Sequence, residues 1–363
     1  MSRAKRNTNG QSRPDIHAVA RLARVSIATV SRTINNISTV DPRLAQRVWK
    51  AIDELGYSPN TQARALVSGR SRLLGLIISE ITNPFFPELI QGFEDVAVEN
   101  GYEILISSTN YDPQRMELCI QRMLERKVDG VAVMTFGIEA PLLDRLAQRD
   151  IPLVFVDVSP KGPLFSTIEV DYFHGIREGV QHLAVLGHRR IGFISGPLHL
   201  HSALARKAAF LRAMDEVGLA PHPDWLREGD HTLEGGISVM SQILASGDAP
   251  TAIMTSNDMT AIGVLHALYR TGARVPDDFS VIGFDDINFA QFTLPPLTSV
   301  QMSRRELARC AVLALRDHLD PQVGPGRPRY KVQTRLTVRQ STGLASQEPS
   351  SKRAARSGRS RAK

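Results

Sequence analysis

Two different spacings of apolar residues divide the chain. Between Asp15 and Gly56, apolar positions recur every three or four residues, which is typical of short amphipathic helices. From Arg72 onward, short and nearly continuous apolar runs alternate with amphipathic segments of helical length. Such runs indicate strands of parallel sheets that helices cover on both faces. The pattern therefore predicts a small helical region followed by an α/β region.

The helical region is predicted to hold three helices, over residues 16–23, about 26–35 and 42–55. A side chain able to cap the first turn stands at the start of each helix: Asp15, Ser26 and Asp41. Two short helices joined by a tight turn, with a third helix behind them, form a helix-turn-helix arrangement.

The α/β region contains seven apolar runs that we interpret as strands. They are LLGLII (73–78), YEILIS (102–107), VDGVAVM (128–134), PLVFVDV (152–158), IGFIS (191–195), TAIMTS (251–256) and SVIGF (280–284). This number of strands fits either one large sheet or two lobes. In doubly wound sheets, ligands bind beyond the carboxyl ends of the strands. The candidate ligand groups are therefore the polar residues that directly follow these runs.

Charge is concentrated at the two ends of the chain. Residues 1–70 hold 12 Lys and Arg against 4 Asp and Glu, which gives +8, and residues 349–363 hold six basic and no acidic residues. Because the whole chain carries +7, the part between them carries −7. A basic head on an acidic body indicates a polyanion-binding module joined to a second domain. The basic C-terminal stretch is rich in Ser, Arg and Ala, which favours a disordered, solubilising tail.

Composition and motifs exclude several classes of function. No apolar run approaches the roughly 18 residues of a membrane span, and the basic N-terminus lacks the apolar core of a signal peptide. The only two cysteines, Cys119 and Cys310, fit a reducing cytoplasm. The sequence has no HExxH motif, Cys/His cluster, P-loop or GxGxxG opening a helix. We expect a cytoplasmic, nucleoid-associated protein without enzymatic activity, metal or cofactor.

Seven stretches, in order, resemble the LacI/GalR family of bacterial transcription regulators between about Asp15 and Gly343. They are VSIATVSRTINN, AIDELGYSPNTQARAL, NPFFPELIQGFEDVAVENGY, RKVDGVAVM, LGHRRIGFISGP, SNDMTAIGVLHAL and VPDDFSVIGFDDINFA with PPLTSV. The resemblance implies an all-α helix-turn-helix head, a hinge helix, and an α/β two-lobed sensor with parallel sheets, like that of periplasmic sugar-binding proteins. It also implies a homodimer, or a tetramer of dimers, that binds pseudo-palindromic operator DNA.

The resemblance divides the chain into five parts. These are a disordered basic arm (1–14), a helix-turn-helix domain (15–58), a hinge helix or linker (59–71), a two-lobed effector-binding and dimerisation domain (72–345) and a disordered basic tail (346–363). No leucine heptads follow Gly343, so we expect a dimer.

The resemblance places the second helix in the major groove of DNA. Arg32 is the candidate for reading guanine, while the apolar Ile27 and Ala28 can contact thymine methyl groups. The polar side chains expected to contact phosphates are Ser26, Thr29, Ser31 and Asn35. For the hydroxyl groups, capping or solvation is the alternative interpretation, and Val30 is expected to pack inward.

The hinge adds a second set of DNA contacts by resemblance. Leu66 would wedge into the minor groove and bend the duplex, with Ala63 and Arg64 beside it. The alternative is that Leu66 packs on its own domain.

Three residues of the head depart from the family pattern. Asp15 stands where a threonine is usual, so it can cap the helix but would repel a phosphate. Ala18 replaces an acidic residue. Arg24 occupies a turn where glycine is common, and a left-handed backbone there costs an arginine about 1 kcal/mol.

The resemblance also implies an effector site. Phe85 and Phe86 would clamp the faces of a sugar ring, a chemistry that suits aromatic side chains. The remaining expected ligand groups are Asn83, Asp157, Ser202, Arg206, His231, Asn257 and Asp285. Taken singly, each could instead be a core, capping or turn residue.

Two departures limit the identity of the effector. His231 stands where the family usually has an aromatic residue, and Leu200 replaces a basic residue of the purine-sensing member. We therefore expect a small polyhydroxylated ligand, a sugar, rather than a purine. A phosphorylated sugar or a protein corepressor remains the alternative effector, and a sugar-binding transport protein is a third class. Whether the ligand induces or corepresses stays open.

Overall fold

The structure is a computed structural model, which describes residues 14–34, 37, 39–58, 69–135, 151–157, 164–320 and 329–346 of the 363-residue chain. The chain divides into two compact units between Ser71 and Arg72. Most of the expected arm, hinge and tail lies outside the described residues, as do four predicted DNA contacts: Asn35, Ala63, Arg64 and Leu66.

The first unit contains α1 (Ile16–Ala23), α2 (Ile27–Ile34) and α3 (Pro42–Leu55), so the three predicted helices are confirmed. The Ala18 amide donates to Oδ1 of Asp15 at 2.8 Å, and the Thr29 amide donates to Oγ of Ser26 at 3.1 Å. These caps satisfy amide groups that have no partner within the helix. The helices enclose a small core of Val19, Ala20, Ala23, Val30, Val48, Ala51 and Ile52.

The turn between α1 and α2 has the left-handed backbone considered above. Arg24 has φ 52° and ψ 50°, and it ends α1. The guanidinium of Arg47 donates from Nη2 to the carbonyl oxygens of Ala23 at 2.6 Å and Arg24 at 3.1 Å. These bonds satisfy carbonyl groups at the end of α1 and join the turn to α3.

The second unit is an α/β domain. Its described strands are β1 (Leu73–Ile78), β2 (Glu103–Ser108), β3 (Gly130–Met134), β4 (Leu153–Val156), β5 (Phe165–Asp171), β6 (Ile191–Ser195), β7 (Leu226–Glu228), β8 (Ala252–Thr255), β9 (Ser280–Asp285), β10 (Thr298–Met302) and β11 (Tyr330–Thr337). Its described helices are α4 (Phe85–Glu99), α5 (Pro113–Glu125), α6 (Tyr172–Val185), α7 (His201–Glu216), α8 (Leu233–Ala245), α9 (Asp258–Thr271) and α10 (Arg304–Leu319).

The described strands form one sheet in the order β2-β1-β3-β4-β5-β11-β10-β9-β8-β6-β7. Every described pair is parallel except β10 with β11. β1–β4 build the first lobe and β6–β9 the second, and β5, β11 and β10 lie between them. The sequence was compatible with either one large sheet or two lobes. In the structure, the strands of both lobes belong to one continuous strand order.

The sequence analysis did not predict four of the described strands: β5, β7, β10 and β11. Nearly continuous apolar runs indicate strands that are buried on both faces, and these four strands lack such runs. β11 instead alternates buried and exposed positions, since Val332 and Thr334 are buried while Lys331, Gln333 and Arg335 are exposed. β7 has only three residues and no fully buried one.

Helix α10 links the two lobes along the chain. It follows β10 directly, yet it packs against α4 and against β3 and β4 of the first lobe. Its inward face is made of Leu307, Ala308, Cys310, Ala311, Val312, Ala314 and Leu315, all buried. In the described part of the chain, no helix has both the length and the apolar character needed to cross a membrane.

Candidate functional site

The described part of the predicted DNA-contacting surface lies on α2. Ile27, Ala28 and Arg32 are exposed, Thr29 and Ser31 are half-buried, and Val30 is fully buried in the core of the head. The inward packing of Val30 is therefore confirmed. The Ser26 hydroxyl lies 2.9 Å from the Thr29 hydroxyl in addition to capping α2. Capping thus accounts for Ser26 in the structure, and its phosphate contact stays a prediction.

A second candidate site is a cleft at the carboxyl ends of strands from both lobes. Its lining comprises seven of the nine predicted effector residues, namely Asn83, Phe85, Phe86, Arg206, His231, Asn257 and Asp285. Asn83 and the two phenylalanines follow β1 of the first lobe, whereas Asn257 and Asp285 stand at the ends of strands in the second. The rule that ligands bind beyond the carboxyl ends of strands therefore identified residues that are distant in sequence and adjacent in the structure.

The floor of the cleft is a buried charge pair. Nη2 of Arg206 lies 3.6 Å from Oδ1 of Asp285, and Nη1 of Arg206 donates to the Ser256 carbonyl oxygen at 2.5 Å. The guanidinium also stacks over the ring of Phe284, 4.1 Å from its centroid. Burial raises the pKa of Asp285 to about 6, although Arg206 and Arg304 favour its charged form. The contact to Arg206 is longer than a hydrogen bond, so both groups keep capacity for another partner.

The two aromatic residues of the cleft lie edge to face in this structure. The rings of Phe85 and Phe86 are 5.3 Å apart and nearly perpendicular, with an interplanar angle of 87°. Perpendicular neighbours do not enclose a ring between parallel faces in this arrangement, so a clamp by both residues stays a prediction. The reason for the edge-to-face arrangement is that both residues begin the same helix, α4, and both pack into the core of the first lobe.

His231 contacts the floor of the cleft from the other side. Nε2 of its ring lies 3.0 Å from the Ser256 hydroxyl, and its carbonyl oxygen accepts from Nδ2 of Asn257 at 2.8 Å. Its ring covers Gly196 so closely that a side chain there would clash. Burial, and then the charge of Arg206, lower the pKa of His231 to about 3. The imidazole is therefore neutral at physiological pH.

Two predicted effector residues lie outside the lining of the cleft. Asp157 accepts from the Val170 amide at 2.8 Å and from the Tyr172 hydroxyl at 2.6 Å, and burial raises its pKa. Tyr172 in turn lies beneath the guanidinium of Arg206, so Asp157 is connected to the cleft only indirectly, through Tyr172. Ser202 is buried near the start of α7 with its hydroxyl oxygen unpaired. Direct ligand contacts by these two residues stay predictions.

Two lining residues were missed by the sequence analysis. Tyr111 lies shortly after β2, and Met302 is the last residue of β10. Tyr111 could have been found by applying the rule on carboxyl ends of strands to the second run, because it follows that strand by three residues. Met302 gave no comparable signal, since β10 was not recognised as a strand.

The cleft is closed in this structure. Its volume is about 30 Å³, which is enough for about two water molecules and is far below the roughly 300 Å³ of a small-molecule pocket. A ligand the size of a sugar therefore requires the lobes or the lining side chains to move apart.

His188, which lies outside the cleft, has a structural role. His188 is buried, with Nδ1 2.8 Å from the Thr251 hydroxyl and Nε2 2.9 Å from the Ser280 hydroxyl. It thereby connects the loop before β6 to the starts of β8 and β9. Within the described ranges, no group of three or more His, Cys, Asp or Glu side chains is arranged to hold a metal ion.

Two family models match the chain. Residues 15–60 match the bacterial regulatory proteins of the lacI family, and residues 180–342 match a periplasmic binding protein-like domain. A curated relative, the HTH-type transcriptional repressor PurR of Photobacterium profundum, is 33% identical over 327 residues, covering 90% of this chain and 98% of the relative.

Two solved structures extend these matches to the fold. The lac repressor dimer bound to operator and the anti-inducer ONPF has a TM-score of 0.80 and 28% identity, over 92% of this chain and all of that one. The complex of the transcriptional regulator CelR with cellobiose has a TM-score of 0.68 and 28% identity, over 91% of this chain and all of that one. The helical head and the mostly parallel sheet are thus both shared with known regulators.

Proposed function

Because the chain belongs to the lacI family of bacterial regulatory proteins, we propose that it is a repressor whose operator affinity is set by a neutral, polyhydroxylated ligand bound in the cleft. DNA binding, repression and a ligand-binding domain are properties of the family. The chemical class of the ligand, the contact residues and the dimeric state are our proposals. As a regulator of transcription, the protein would act in the cytoplasm at the nucleoid.

The unsatisfied Arg206 side chain carries the proposal for the ligand. Arg206 is 4% exposed, its Nε has no hydrogen-bond partner, and its Nη2 is only loosely placed against Asp285. A buried polar atom without a partner costs free energy unless something satisfies it. A guanidinium donor beside a carboxylate acceptor matches vicinal hydroxyl groups, each of which both donates and accepts.

The charge of the cleft favours a neutral ligand over a phosphorylated one. Among the described lining residues, Arg206 is the only cationic side chain, and Asp285 already lies beside it. His231 is neutral there because burial lowers its pKa. A phosphate group carries nearly two negative charges, and the single cation of the described lining, Arg206, would be shared between that phosphate and the carboxylate of Asp285.

On the DNA side, we propose that α2 lies in the major groove. Arg32 would donate to guanine, and Ile27 and Ala28 would contact thymine methyl groups. Two heads of a homodimer would read the two halves of a pseudo-palindromic operator. Ligand that binds one arrangement of the lobes better than the other then changes operator affinity, and operator changes ligand affinity by the same factor.

Calorimetric titration of the full chain tests the ligand class. The panel comprises pentoses, hexoses, polyols, purine bases and sugar phosphates, and Arg206→Ala and Asp285→Asn accompany the wild type. We expect one neutral sugar or polyol to bind the wild type and to lose at least tenfold affinity in both variants. Arg212→Ala is the matched control, because this arginine lies on the same helix with its side chain 65% exposed. Binding of a sugar phosphate alone, or equal losses in the control, would contradict the proposal.

A purine base is the second candidate ligand. The observation in its favour is the 33% identity to repressors named PurR over nearly their whole length. A flat base would stack on one phenylalanine face, with Asn83 and Asn257 available for its polar edge. The same titration separates the two classes, since a base that binds while every sugar fails assigns the cleft to purines.

A further inference from the structure

An open groove of about 650 Å³ runs between α1 and the start of α2 in the head. His17, Arg21 and Arg24 contribute its polar lining, together with Ser26, and Val25 and Ile27 contribute apolar surface. Both arginines are exposed. The groove adjoins Ile27, the first residue of the helix that we assign to the DNA major groove.

The two arginines of the groove lack anionic partners. In the described part of the head, no carboxylate lies within ion-pair distance of Arg21 or Arg24. Asp15 and Asp41 are occupied as helix caps, and Glu54 is paired with Lys50. Two unpaired cations on one side of a groove attract a polyanion, because neighbouring positive charges raise the local potential.

Arg24 also has a left-handed backbone conformation, which disfavours any side chain. Both α1 and α3 end in a left-handed residue, with φ 52° at Arg24 and φ 58° at Gly56. Glycine adopts this conformation without strain, as it does after α3, whereas a side chain at Cβ does not. The arginine therefore weakens the turn, and an observed strain of this kind supports a functional interpretation.

We propose that Arg21 and Arg24 form a phosphate-binding pair that contacts the operator backbone beside the half-site read by α2. In helix-turn-helix proteins the first helix crosses the backbone while the second enters the major groove, so cations at the end of α1 face phosphates. The pair positions the head without reading bases. This inference rests on the proposed role of α2, and it assigns to the turn a contact that the sequence analysis did not include.

The test measures operator affinity of the full-length dimer at 50 and 200 mM salt for the wild type, for four variants of exposed cations and for Arg32→Ala in the helix that reads the half-site. Arg24→Asn removes the charge and relieves the strain, because asparagine tolerates the left-handed region. Arg24→Lys keeps the charge and the strain. Arg21→Gln removes the second charge within a helix. Lys127→Asn is the matched control, an exposed cation with φ 52° in the second unit.

The slope of log affinity against log salt is about −0.9 per phosphate contact, so losing one contact per head makes the slope of a dimer less negative by about 1.8. For Arg24→Asn and Arg21→Gln, the affinity deficit relative to wild type should then be about 12-fold larger at 50 mM than at 200 mM salt. Arg24→Lys and Lys127→Asn should keep the wild-type slope. Arg24→Asn should also raise the denaturation midpoint of the head, followed by Trp49 fluorescence in a Trp225→Phe background.

The outcomes are distinguishable. An unchanged slope in both charge-removing variants overturns the phosphate-binding pair. A loss in Arg24→Lys equal to that in Arg24→Asn overturns it as well, because the charge would then be irrelevant. If Arg32→Ala leaves operator affinity intact, the assignment of α2 fails instead, whatever the salt slopes are.

Discussion

Arg304 at the start of α10 forms an ion pair with Glu88 in the first turn of α4, with Nη2 2.7 Å from Oε2. Glu88 also accepts from the Asn288 amide at 2.8 Å, and Arg304 donates to the carbonyl oxygens of Asp285 and Met302. The pair thereby joins the helices of the first lobe to the strand ends that line the cleft. Both groups also act on the pKa of the cleft residue Asp285, which Arg304 lowers and Glu88 raises.

Replacing Glu88 by Gln should destabilise the second unit. The Arg304 side chain is 14% exposed, so it would lose its anionic partner in a poorly solvated place, at a cost of about 1.5 kcal/mol. Urea denaturation measures the change in the free energy of unfolding. Glu216→Gln is the control: its arginine partner is 65% exposed, and the loss should be about 0.3–0.5 kcal/mol. Equal losses in the two variants would show that the Glu88 pair behaves as an ordinary surface pair.

Two helical glycines, the buried Gly263 and the half-buried Gly92, should respond oppositely to alanine. A Cβ at Gly263 of α9 would lie 2.1 Å from the Leu233 carbonyl oxygen of α8, so backbone must move, and we expect a loss of about 1–3 kcal/mol. A Cβ at Gly92 of α4 would meet Ala308 at 3.4 Å, and the variant should gain about 0.5–1 kcal/mol from helix propensity. Thermal denaturation of both variants measures these changes. A gain at position 263 would refute the close helix contact.

His231 should make stability depend on pH below neutrality. Its folded pKa of about 3 lies below its unfolded value near 6.5, so between these values the unfolded state binds the extra proton. Stability is therefore lost as the pH falls, by about 2 kcal/mol between pH 6.5 and 5.0. Asp285, with its pKa raised to about 6, has the opposite effect over part of this range.

Urea denaturation of wild type and His231→Asn at pH 6.5 and 5.0 isolates the histidine. Asparagine suits the left-handed backbone of this residue, whose φ is 65°. The wild type should lose about 2 kcal/mol more than the variant over this interval. Parallel pH dependences in the two proteins would contradict the burial of the neutral imidazole.

Substitutions of Val30 and Ile27 should distinguish a residue that packs in the core of the head from one that contacts bases. Val30→Ala removes two methyl groups from a fully buried side chain, at a cost of about 2 kcal/mol, followed by Trp49 fluorescence in the Trp225→Phe background. Ile27 is 42% exposed, so Ile27→Ala should change stability by less than about 0.5 kcal/mol. It should instead alter the preference for thymine at one operator position in competition binding. A large stability loss in Ile27→Ala would place this residue in the core.

The sequence was most informative where one local signal sufficed. The caps at Asp15 and Asp41 and the run of β6 defined their elements to the residue, because capping oxygens and runs buried on both faces leave clear patterns. β11 could not be found in this way, since it lies at the junction of the lobes and three of its eight residues are exposed in alternation with buried ones. Its place depends on partners distant in sequence.

The residues of the candidate cleft also differ in whether a local sequence signal identified them. Residues after recognised strands, such as Asn257 and Asp285, were identified, whereas Met302 followed a strand that gave no apolar run. The perpendicular arrangement of Phe85 and Phe86 could not be read from their adjacency, because ring orientation follows from how α4 packs against the lobe.

The late position of α10 in the chain has a consequence for biosynthesis. The first lobe begins at Leu73, but the helix that covers it ends at Leu319. At about 5–20 residues per second, the strands completed at Val156 wait about 8–30 s on the ribosome for that helix. During this interval the face that α10 covers stays open to other nascent chains and to chaperones. The DNA-binding head, by contrast, has all of its helices synthesised before the first strand is made.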